Sequence, residues 1–218
     1  MNRSVMLDRL ADSPADWDVI VIGGGATGLG VAVDATTRGY RTLLLEQADF
    51  GQGTSSRSTK LVHGGVRYLR NGEVGLVRDS LRERGRLLKN APNLVGALPF
   101  VVPGFRWYER FYYGVGLTLY DMLAGKLGIG KTKHLSRGAV LEKIPNLTGS
   151  GLHGGTLYWD GQFDDARLCV ALARTAAQHE ATVLNHAKVT ELRHEGTKVS
   201  EIGRASCRER VYDVVLLW

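Results

Sequence analysis

Three glycines near the start of the chain have the spacing of a phosphate-binding turn. Residues 23–28 read Gly-Gly-Gly-Ala-Thr-Gly and fit the pattern G-x-G-x-x-G, with Gly23, Gly25 and Gly28 at its glycine positions. In such a turn the first glycine allows a tight bend, the second lets the backbone approach a pyrophosphate, and the third lets a helix pack closely on a strand. The pattern therefore predicts that a dinucleotide binds at the amino end of a helix.

An acidic residue follows at the distance that this turn requires. Glu46 comes about 20 residues after the glycines, where its carboxylate would accept hydrogen bonds from ribose hydroxyls and repel a 2′-phosphate. FAD or NAD is therefore favoured over NADP. The alternative is a glycine turn in an α/β protein that binds no nucleotide, which we disfavour because a strand, a helix and the acidic residue all occur at the expected positions.

The elements around the glycines are those of a parallel crossover. The residues after Trp17 read Asp-Val-Ile-Val-Ile-Gly, a β-branched run that is typical of a buried parallel strand. Residues 26–39 predict a helix, and residues 41–46 predict a second strand. A strand, helix and strand within about 30 residues have the size of a right-handed crossover, so the predicted fold class is α/β with a Rossmann-like start.

Further elements are predicted along the chain. Residues 47–60 are rich in glycine, serine and threonine and predict a loop, whereas residues 73–90 predict an amphipathic helix. The unusually aromatic residues 105–124 are expected to include a helix, another helix is expected over residues 164–179, and a strand is expected over residues 182–185. The arginines of the amphipathic helix are expected to face water: Arg78, Arg82, Arg84 and Arg86.

Two segments resemble one known family. Residues 54–69 read Thr-Ser-Ser-Arg-Ser-Thr-Lys-Leu-Val-His-Gly-Gly-Val-Arg-Tyr-Leu, and residues 158–168 read Tyr-Trp-Asp-Gly-Gln-Phe-Asp-Asp-Ala-Arg-Leu. Both closely resemble segments of FAD-dependent glycerol-3-phosphate dehydrogenases, and residues 119–121 and 181–186 agree more weakly. The resemblance covers about residues 18–195 and is closer to the mitochondrial and plant branch of the family than to the short enterobacterial form.

The resemblance implies a domain organisation. We expect a truncated Rossmann-like FAD-binding domain of the glutathione-reductase-like (DAO-type) superfamily over residues 18–200, after an N-terminal extension over residues 1–17. Part of a substrate-side cap is expected at about residues 91–160. Residues 201–211 resemble a translated DNA-sequencing adapter, so a non-native tail is expected over residues 201–218; the alternative is a genuine polar turn followed by a final strand.

The resemblance also implies a set of contacts with FAD. The serine- and threonine-rich run would offer hydroxyl and N–H groups to the diphosphate and the ribityl chain. Residues 60–65 would run beside the isoalloxazine, where two glycines let the backbone approach a flat ring. The expected cofactor-binding residues are Gly23, Gly25, Gly28, Glu46, Thr54, Ser55, Ser56, Ser58, Lys60, Leu61, His63 and Gly64.

Three residues are expected at the reacting end of the site. His63 would form a hydrogen bond near the flavin or assist proton movement, since an imidazole changes charge near neutral pH, and a structural role in holding the loop is equally open. By resemblance, Arg67 is implied in gripping the substrate phosphate, which suits its bidentate guanidinium, with Tyr68 beside it. The other phosphate ligands and the catalytic base are expected beyond residue 200.

The activity that the resemblance implies is FAD-dependent oxidation of sn-glycerol 3-phosphate to dihydroxyacetone phosphate, with electrons passed to a membrane quinone. For the 218 residues themselves, we expect nucleotide binding without turnover. Two alternatives stay open: a non-catalytic fragment that binds FAD or ADP, and a related DAO-type amine or amino-acid oxidase. The oxidase should not carry the block at residues 63–68.

Charge and hydropathy narrow the partners and the location. The net charge of +6 favours an anionic partner, whether a phosphorylated metabolite, an acidic lipid surface or a nucleic acid. Nucleic acid is disfavoured because no zinc-finger, RNA-binding or helix-turn-helix pattern occurs. For the aromatic residues 105–124, core packing is the commoner explanation and contact with a lipid surface or a quinone is the alternative. We expect a cytoplasmic protein, peripheral on the inner face of the cell membrane, or on the mitochondrial inner membrane if eukaryotic.

No metal site is expected. The two cysteines, Cys169 and Cys207, are too few and too far apart to form a metal site or a disulfide framework, which favours a reducing compartment. Asp164 and Asp165 could form a pair of carboxylates for acid/base catalysis, but capping of a helix explains at least one of them more simply.

Overall fold

The structure is a computed structural model that describes residues 1–12, 17–195, 198–204 and 211–212 of the chain. Its helices are α1 (Arg3–Asp12), α2 (Ala26–Thr37), α3 (Val66–Arg70), α4 (Val74–Asn90), α5 (Glu109–Ala124), α6 (Arg137–Lys143) and α7 (Asp165–Gln178). Its strands are β1 (Val19–Ile22), β2 (Thr42–Leu45), β3 (Leu61–Val62), β4 (Val95–Gly104), β5 (Lys133–Leu135), β6 (Gly154–Phe163), β7 (Thr182–Leu184), β8 (Val189–Glu195), β9 (Lys198–Arg204) and β10 (Val211–Tyr212).

The chain groups into two compact units. The first contains residues 1–59 together with the described residues from Asp165 onward, and the second is Lys60–Asp164. The second unit contains the region at 91–160 and also residues from Lys60 onward, because β3 is paired within it; the assignment of residues 91–160 to a substrate-side cap stays a prediction.

The first unit is built on a parallel sheet with strand order β1-β2-β7. Helix α2 connects β1 to β2, as the sequence predicted, and the register pairs Ile20 with Leu43 and Leu44 with Val183. The strands consist of β-branched and leucine residues because helices cover both faces of the sheet, which leaves no face for polar side chains. The prediction of an α/β fold is confirmed.

Side chains on successive strand positions enter two different cores. One face packs against α1 and the other against α2 and α7. The first cluster contains Met6, Leu10, Trp17, Ile20, Leu43, Leu45, Leu184 and Ala187. The second contains Val21, Leu29, Ala32, Leu44, Cys169, Ala173, Ala176, Ala181 and Val183. The period of two along each strand therefore assigns alternate residues to opposite layers.

Helix α1 was not predicted. Sequence analysis assigned residues 1–17 to an extension ahead of the domain, whereas Met6 and Leu10 are each only 4 % exposed and lie in the core of the sheet. Four of the ten residues of the helix are charged and its apolar pattern is weak, which explains why periodicity did not indicate it.

Beyond β7 the chain forms an antiparallel sheet with order β10-β9-β8. Residues 201–204, at the start of the expected non-native tail, continue β9, and Val211 and Tyr212 pair with Ile202 and Glu201. Residues 205–210 and 213–218 of that tail lie outside the described part of the chain. The adapter origin of the tail therefore stays a prediction.

In the second unit, β6 is the central strand. It pairs antiparallel with β4 along one edge and with β3 and β5 along the other. Strand β4 contains Pro99 and Pro103, which are tolerated because β4 pairs with β6 alone among the described residues and needs no donors on its other edge. Helices α4 and α5 pack together through a small core of Val77, Leu81, Tyr120 and Ala124.

Helix α4 confirms the predicted amphipathic helix but corrects one of its arginines. Arg78, Arg82 and Arg86 are exposed, as expected. Arg84 is only 2 % exposed, because its guanidinium is paired with the carboxylate of Asp160 on β6. From its neighbours in the sequence, Arg84 was expected on the charged, exposed face of the helix. In the structure it lies on the buried face, which also carries Val77 and Leu81.

Helix α5 has one buried and one exposed apolar face. Leu117 and Tyr120 are buried, at 3 % and 0 % exposure, whereas Phe111, Val115 and Met122 are more than three fifths exposed. Core packing thus explains only part of the aromatic stretch. Within the described residues, no helix combines the length and the apolarity needed to cross a membrane.

Candidate functional site

The glycine turn has the backbone geometry that its sequence predicts. Gly23 has a φ of +111°, which few residues other than glycine adopt, and its N–H donates to the carbonyl of Leu45 over 2.9 Å. A Cβ added to Gly28 would overlap the carbonyl oxygen of Gly23, so only glycine lets α2 approach β1 this closely. Gly25 is the residue that precedes α2, and it offers no side chain to cap the helix.

The amino end of α2 is therefore available to an anion. The first N–H groups of a helix have no partners within it, and their positive partial charge favours a phosphate. Of the predicted hydroxyls, Ser55 lies closest to this end, since its Oγ accepts a hydrogen bond from the Ala26 N–H at 3.3 Å. The backbone of the turn and a hydroxyl group thus converge where a dinucleotide pyrophosphate would bind.

Glu46 is held firmly by the backbone around it. Its Oε2 accepts a hydrogen bond from the Gly24 N–H at 2.6 Å, and its Oε1 accepts one from the Ala48 N–H at 2.7 Å. Each carboxylate oxygen has a second lone pair, so these bonds orient the group and leave it able to accept from ribose hydroxyls. The residue stands at the carboxyl end of β2, where ligands of open α/β sheets bind.

The serine- and threonine-rich loop is more structural than the sequence indicated. Thr54–Ser56 form a short 3₁₀ turn, and the Ser56 hydroxyl donates to the carbonyl of Gly51 at 2.6 Å. The Ser58 hydroxyl donates to the carboxylate of Asp165, which is buried in the first turn of α7. Asp165 is thus the acceptor of a hydrogen bond that ties the loop to α7. The contacts of Thr54, Ser56 and Ser58 with FAD stay predictions.

A pair of side chains near Glu46 was not noticed in the sequence. Asn185 donates from Nδ2 to Asp49 Oδ1 at 2.9 Å, and its own oxygens accept from Arg3. Hydrogen bonds from Asn185 and from the Phe50 N–H hold the pKa of Asp49 below its usual range. These bonds join the segment after β2 to the segment after β7, and no local spacing in the sequence signals them.

In the second unit, the segment expected beside the isoalloxazine starts with strand β3. Leu61 pairs with Gln162 and Val62 pairs with Gly161, and the Lys60 carbonyl accepts from the Phe163 N–H at 3.0 Å. Lys60 itself has a φ of +62°, a conformation that is uncommon for a residue other than glycine. The β3–β6 pairing therefore fixes the direction of the chain up to Val62.

The predicted catalytic residues follow directly. His63 and Arg67 have exposed side chains, and Tyr68 is 44 % exposed. Gly64 is buried, and Gly65 has a φ of +71° and precedes α3, with the Tyr68 ring over its Cα so that an added Cβ would lie 2.5 Å from the ring. The structure thus brings His63, Arg67 and Tyr68 together on one short loop and one turn of helix.

A cleft of about 560 Å³ lies next to this segment, within the same unit. It is lined by Lys60, Asn93, Gln162 and Asp164 and by the backbone at the start of β4. The lining does not include His63, Arg67 or Tyr68. Among the described residues, no group of three histidine, cysteine or carboxylate side chains could hold a metal ion.

Residues 18–217 match the protein family described as FAD dependent oxidoreductase. The chain belongs to this family. Its sequence is 48 % identical over 201 residues to a mitochondrial glycerol-3-phosphate dehydrogenase of Arabidopsis thaliana, an alignment that covers 87 % of this chain and 32 % of the relative. It is 44 % identical over 198 residues to the mitochondrial glycerol-3-phosphate dehydrogenase of Mus musculus, covering 88 % of this chain and 27 % of the relative.

The structure of this oxidoreductase is also similar to a solved one. The glycerol-3-phosphate dehydrogenase of Bacillus halodurans, complexed with FAD, aligns with a TM-score of 0.71 and 31 % identity, over 98 % of this chain and 36 % of that chain. The chain spans about a third of the length of the relatives that it matches. The resemblance seen in the sequence and the assignment to an FAD-dependent class are confirmed.

Sequence reasoning missed a buried network in the oxidoreductase. Tyr120 Oη donates to Asp160 Oδ2 at 2.8 Å and accepts from the Gly64 N–H at 2.7 Å. Arg84 Nη1 donates to Asp160 Oδ1 at 2.8 Å and to the carbonyl of Trp159 at 3.3 Å. Burial raises the pKa of Tyr120 far above its ordinary value, and the Asp160 carboxylate adds to this, so the phenol stays protonated. Residues 119–121 and 158–168 carried the family resemblance, which was the one signal for this network.

Proposed function

We propose that this chain is the FAD-binding part of an enzyme that oxidises sn-glycerol 3-phosphate to dihydroxyacetone phosphate. The observation that carries the proposal is the 48 % identity to a protein named for that activity, over 87 % of the chain. The glycine turn supports it, because the residues that would hold FAD fit the group: Gly25 makes no side-chain cap at the amino end of α2 and presents no side chain to a pyrophosphate.

The residues of the first unit would bind the adenosine half of FAD. The amino end of α2 would balance the charge of the diphosphate, while Gly25 lets the backbone approach it. Glu46 would orient the ribose through its two hydroxyls, because its carboxylate is already fixed by the Gly24 and Ala48 N–H groups. Thr54 and Ser55 would donate from their hydroxyls to the diphosphate, whereas Ser56 and Ser58, whose hydroxyls donate to Gly51 and Asp165, would accept from hydroxyls of the ribityl chain.

The residues of the second unit would act at the reacting end. When bound, FAD supplies a hydride acceptor for C2 of the substrate. Lys60, Leu61 and Gly64 would lie along the ring, and Arg67 would grip the substrate phosphate through two parallel hydrogen bonds, with Tyr68 beside it. His63 would hold or move a proton near the substrate hydroxyl, or hold the loop; its exposed side chain agrees with either role.

The electron acceptor and the location form a second part of the proposal. We propose that a membrane quinone accepts the electrons and that the enzyme lies peripherally on a membrane, the mitochondrial inner membrane or the inner face of a cell membrane. The relatives named mitochondrial support this location. The exposed face of α5 supports contact with lipid, because Phe111, Tyr112, Val115 and Met122 are all more than three fifths exposed.

Flavin absorbance tests the activity. The chain in its longer form, with the natural reading frame continued beyond Ser200, is purified with FAD and mixed anaerobically with sn-glycerol 3-phosphate. We expect the oxidised flavin band to bleach, and Arg67→Met to require a much higher substrate concentration for the same rate. Bound FAD that glycerol 3-phosphate does not bleach would contradict the substrate assignment.

The same experiment separates the two other candidates. The 218-residue chain is expected to bind FAD or ADP without turnover, since the chain covers a third of its relatives. Bleaching by an amine or an amino acid, but not by glycerol 3-phosphate, would indicate a related oxidase. Sedimentation with anionic vesicles tests the membrane contact: Phe111→Ser should reduce binding more than Tyr40→Ser, a change at an exposed aromatic residue of the first unit.

A further inference from the structure

The segment that carries His63 is anchored on both sides. Before it, Val62 is paired with Gly161 in the β3–β6 ladder. After it, the Gly64 N–H donates to the hydroxyl of Tyr120, which is fully buried. A Cβ at Gly64 would lie 2.7 Å from that hydroxyl and 2.5 Å from Leu81, so the backbone of Gly64 sits directly on these side chains. The position of the His63 backbone is therefore set by β6 and by Tyr120.

The hydroxyl of Tyr120 can accept from Gly64 because of where its proton points. A phenol has one proton to donate, and here it goes to Asp160 Oδ2 at 2.8 Å. The lone pairs of Oη are then free to accept the Gly64 N–H. Burial and the Asp160 carboxylate both raise the pKa of Tyr120, so this arrangement of donor and acceptor persists at all pH values near neutrality.

Arg84 fixes the carboxylate on which Tyr120 depends. Its guanidinium donates to Asp160 Oδ1, and Arg84 Cζ lies 5.8 Å from the centroid of the Tyr120 ring. Burying this ion pair has a desolvation cost, since the side chains are only 2 % and 4 % exposed and Arg84 Nε has no hydrogen-bond partner among the described residues. Well-packed apolar residues are often as stabilising as a buried ion pair, so stability alone does not account for it.

We propose that Tyr120, Asp160 and Arg84 are positioning residues for His63. Together they hold the Gly64 N–H and so fix the orientation in which the loop presents the imidazole. None of the three touches the substrate in this scheme, and each acts through Gly64. A role for His63 in the reaction rests on the proposed function. The hydrogen-bond network that holds the backbone next to His63 does not.

Amide hydrogen exchange in the ¹⁵N-labelled chain without FAD tests the network. In Tyr120→Phe, the Gly64 amide should exchange at least about tenfold faster, which corresponds to about 1.4 kcal/mol of lost protection. The Phe163 amide, which donates to Lys60, serves as the internal reference and should not change. Tyr158→Phe is the matched control, because Tyr158 is a half-buried tyrosine in ring contact with Tyr120. Unchanged exchange at Gly64, or an equal rise in both variants, would overturn the proposal.

A second readout separates positioning from a general structural role. The chemical shifts of the His63 ring protons should change in Tyr120→Phe and stay in place in Tyr158→Phe, while those of the exposed His153 of the same unit should not change in either. Faster exchange at Gly64 without any shift at His63 would show that the network is structural only. Absence of FAD binding would refute the proposed function and leave both measurements valid.

One measurement does not need a variant that folds. In the unmodified chain, the Tyr120 hydroxyl proton should be slow to exchange and should give a nuclear Overhauser contact to the Gly64 amide proton. Lack of that contact in a folded chain would overturn the proposal whatever Tyr120→Phe does.

Discussion

The two segments expected to contact FAD are held in different ways. The turn at residues 23–28 is held mainly through its own backbone: Gly23 donates to Leu45, Gly28 allows α2 to pack on β1, and the N–H groups of Gly24 and Ala26 donate to Glu46 and Ser55. The loop that carries His63 is held by side chains, through Tyr120 and the buried pair of Arg84 and Asp160. The glycine turn requires that no side chain fills the space where α2 approaches β1. The His63 loop instead requires charged partners that lie far along the chain.

The difference predicts which substitutions destabilise each segment. At Gly28 of the glycine turn, adding a single Cβ creates an overlap with the backbone of Gly23, and any larger residue does the same. In the His63 loop, removing one charge leaves its partner buried and unpaired, which is more costly than the loss of the bond itself. Substitutions in the two segments, each paired with a control at a neighbouring residue, distinguish these two effects.

Arg84→Met should give the largest loss of stability. It leaves the Asp160 carboxylate buried without its ion-pair partner, so the free energy of unfolding should fall by about 3–5 kcal/mol. Arg82→Met, on the exposed side of the same helix, should change it by less than about 0.5 kcal/mol. Urea unfolding at neutral pH measures both. Similar losses in the two variants would mean that the buried ion pair contributes no more to the free energy of unfolding than an exposed arginine does.

Gly28→Ala and Gly30→Ala should have effects of opposite sign. The new Cβ at Gly28 overlaps the Gly23 carbonyl, so the variant should lose about 1–3 kcal/mol and bind FAD more weakly. At Gly30 no atom of the described residues lies within 4 Å of an added Cβ, and alanine in place of glycine in a helix should stabilise by about 0.5–1 kcal/mol. Thermal unfolding measures the change in stability, and titration with FAD measures the change in affinity. Stabilisation by Gly28→Ala would contradict the close packing of α2 on β1.

Alkaline unfolding should report on Tyr120. Burial raises the pKa of Tyr120 above its unfolded value near 10, so the unfolded chain releases this proton first. The stabilisation is fully present below about pH 10 and is lost as the pH rises further, by up to about 1.4 kcal/mol per pH unit. Tyr120→Phe should therefore show a shallower decline than the unmodified chain. Tyr112→Phe, at an exposed tyrosine of the same helix, should decline as steeply as the unmodified chain.

Ser55→Ala should have the smallest effect. It removes the acceptor for the Ala26 N–H, a hydrogen bond of 3.3 Å, and should lower the free energy of unfolding by about 0.5 kcal/mol. Thr54→Ala, in the same 3₁₀ turn, should be within experimental error of the unmodified chain. A loss above about 1.5 kcal/mol for Ser55→Ala would show that Ser55 stabilises the glycine turn by more than one such hydrogen bond.

The sequence predicts the glycine turn and its crossover better than it predicts the buried network around the His63 loop. Strand β1, helix α2, Glu46 and the glycines are predictable because their roles depend on neighbours within about 30 residues. Arg84 was expected in water because a helical arginine among charged residues usually is, and its partner Asp160 is 76 residues away. Strands β4 and β6 contain prolines and glycines in place of an alternating pattern, so no period indicated them.

Strand β6 also sets an order of events during synthesis. The ribosome makes the His63 segment first, yet β3 pairs with Gly161 and Gln162, and Asp160 lies on the same strand. Until β6 emerges, about a hundred residues later, the loop has neither its strand partner nor the carboxylate that orients Tyr120. Such distant pairings form late and leave apolar strand edges exposed meanwhile. A nascent chain that stalls before residue 163 should therefore carry a folded start of the nucleotide-binding crossover together with an unformed His63 loop, and would be a ready substrate for chaperones.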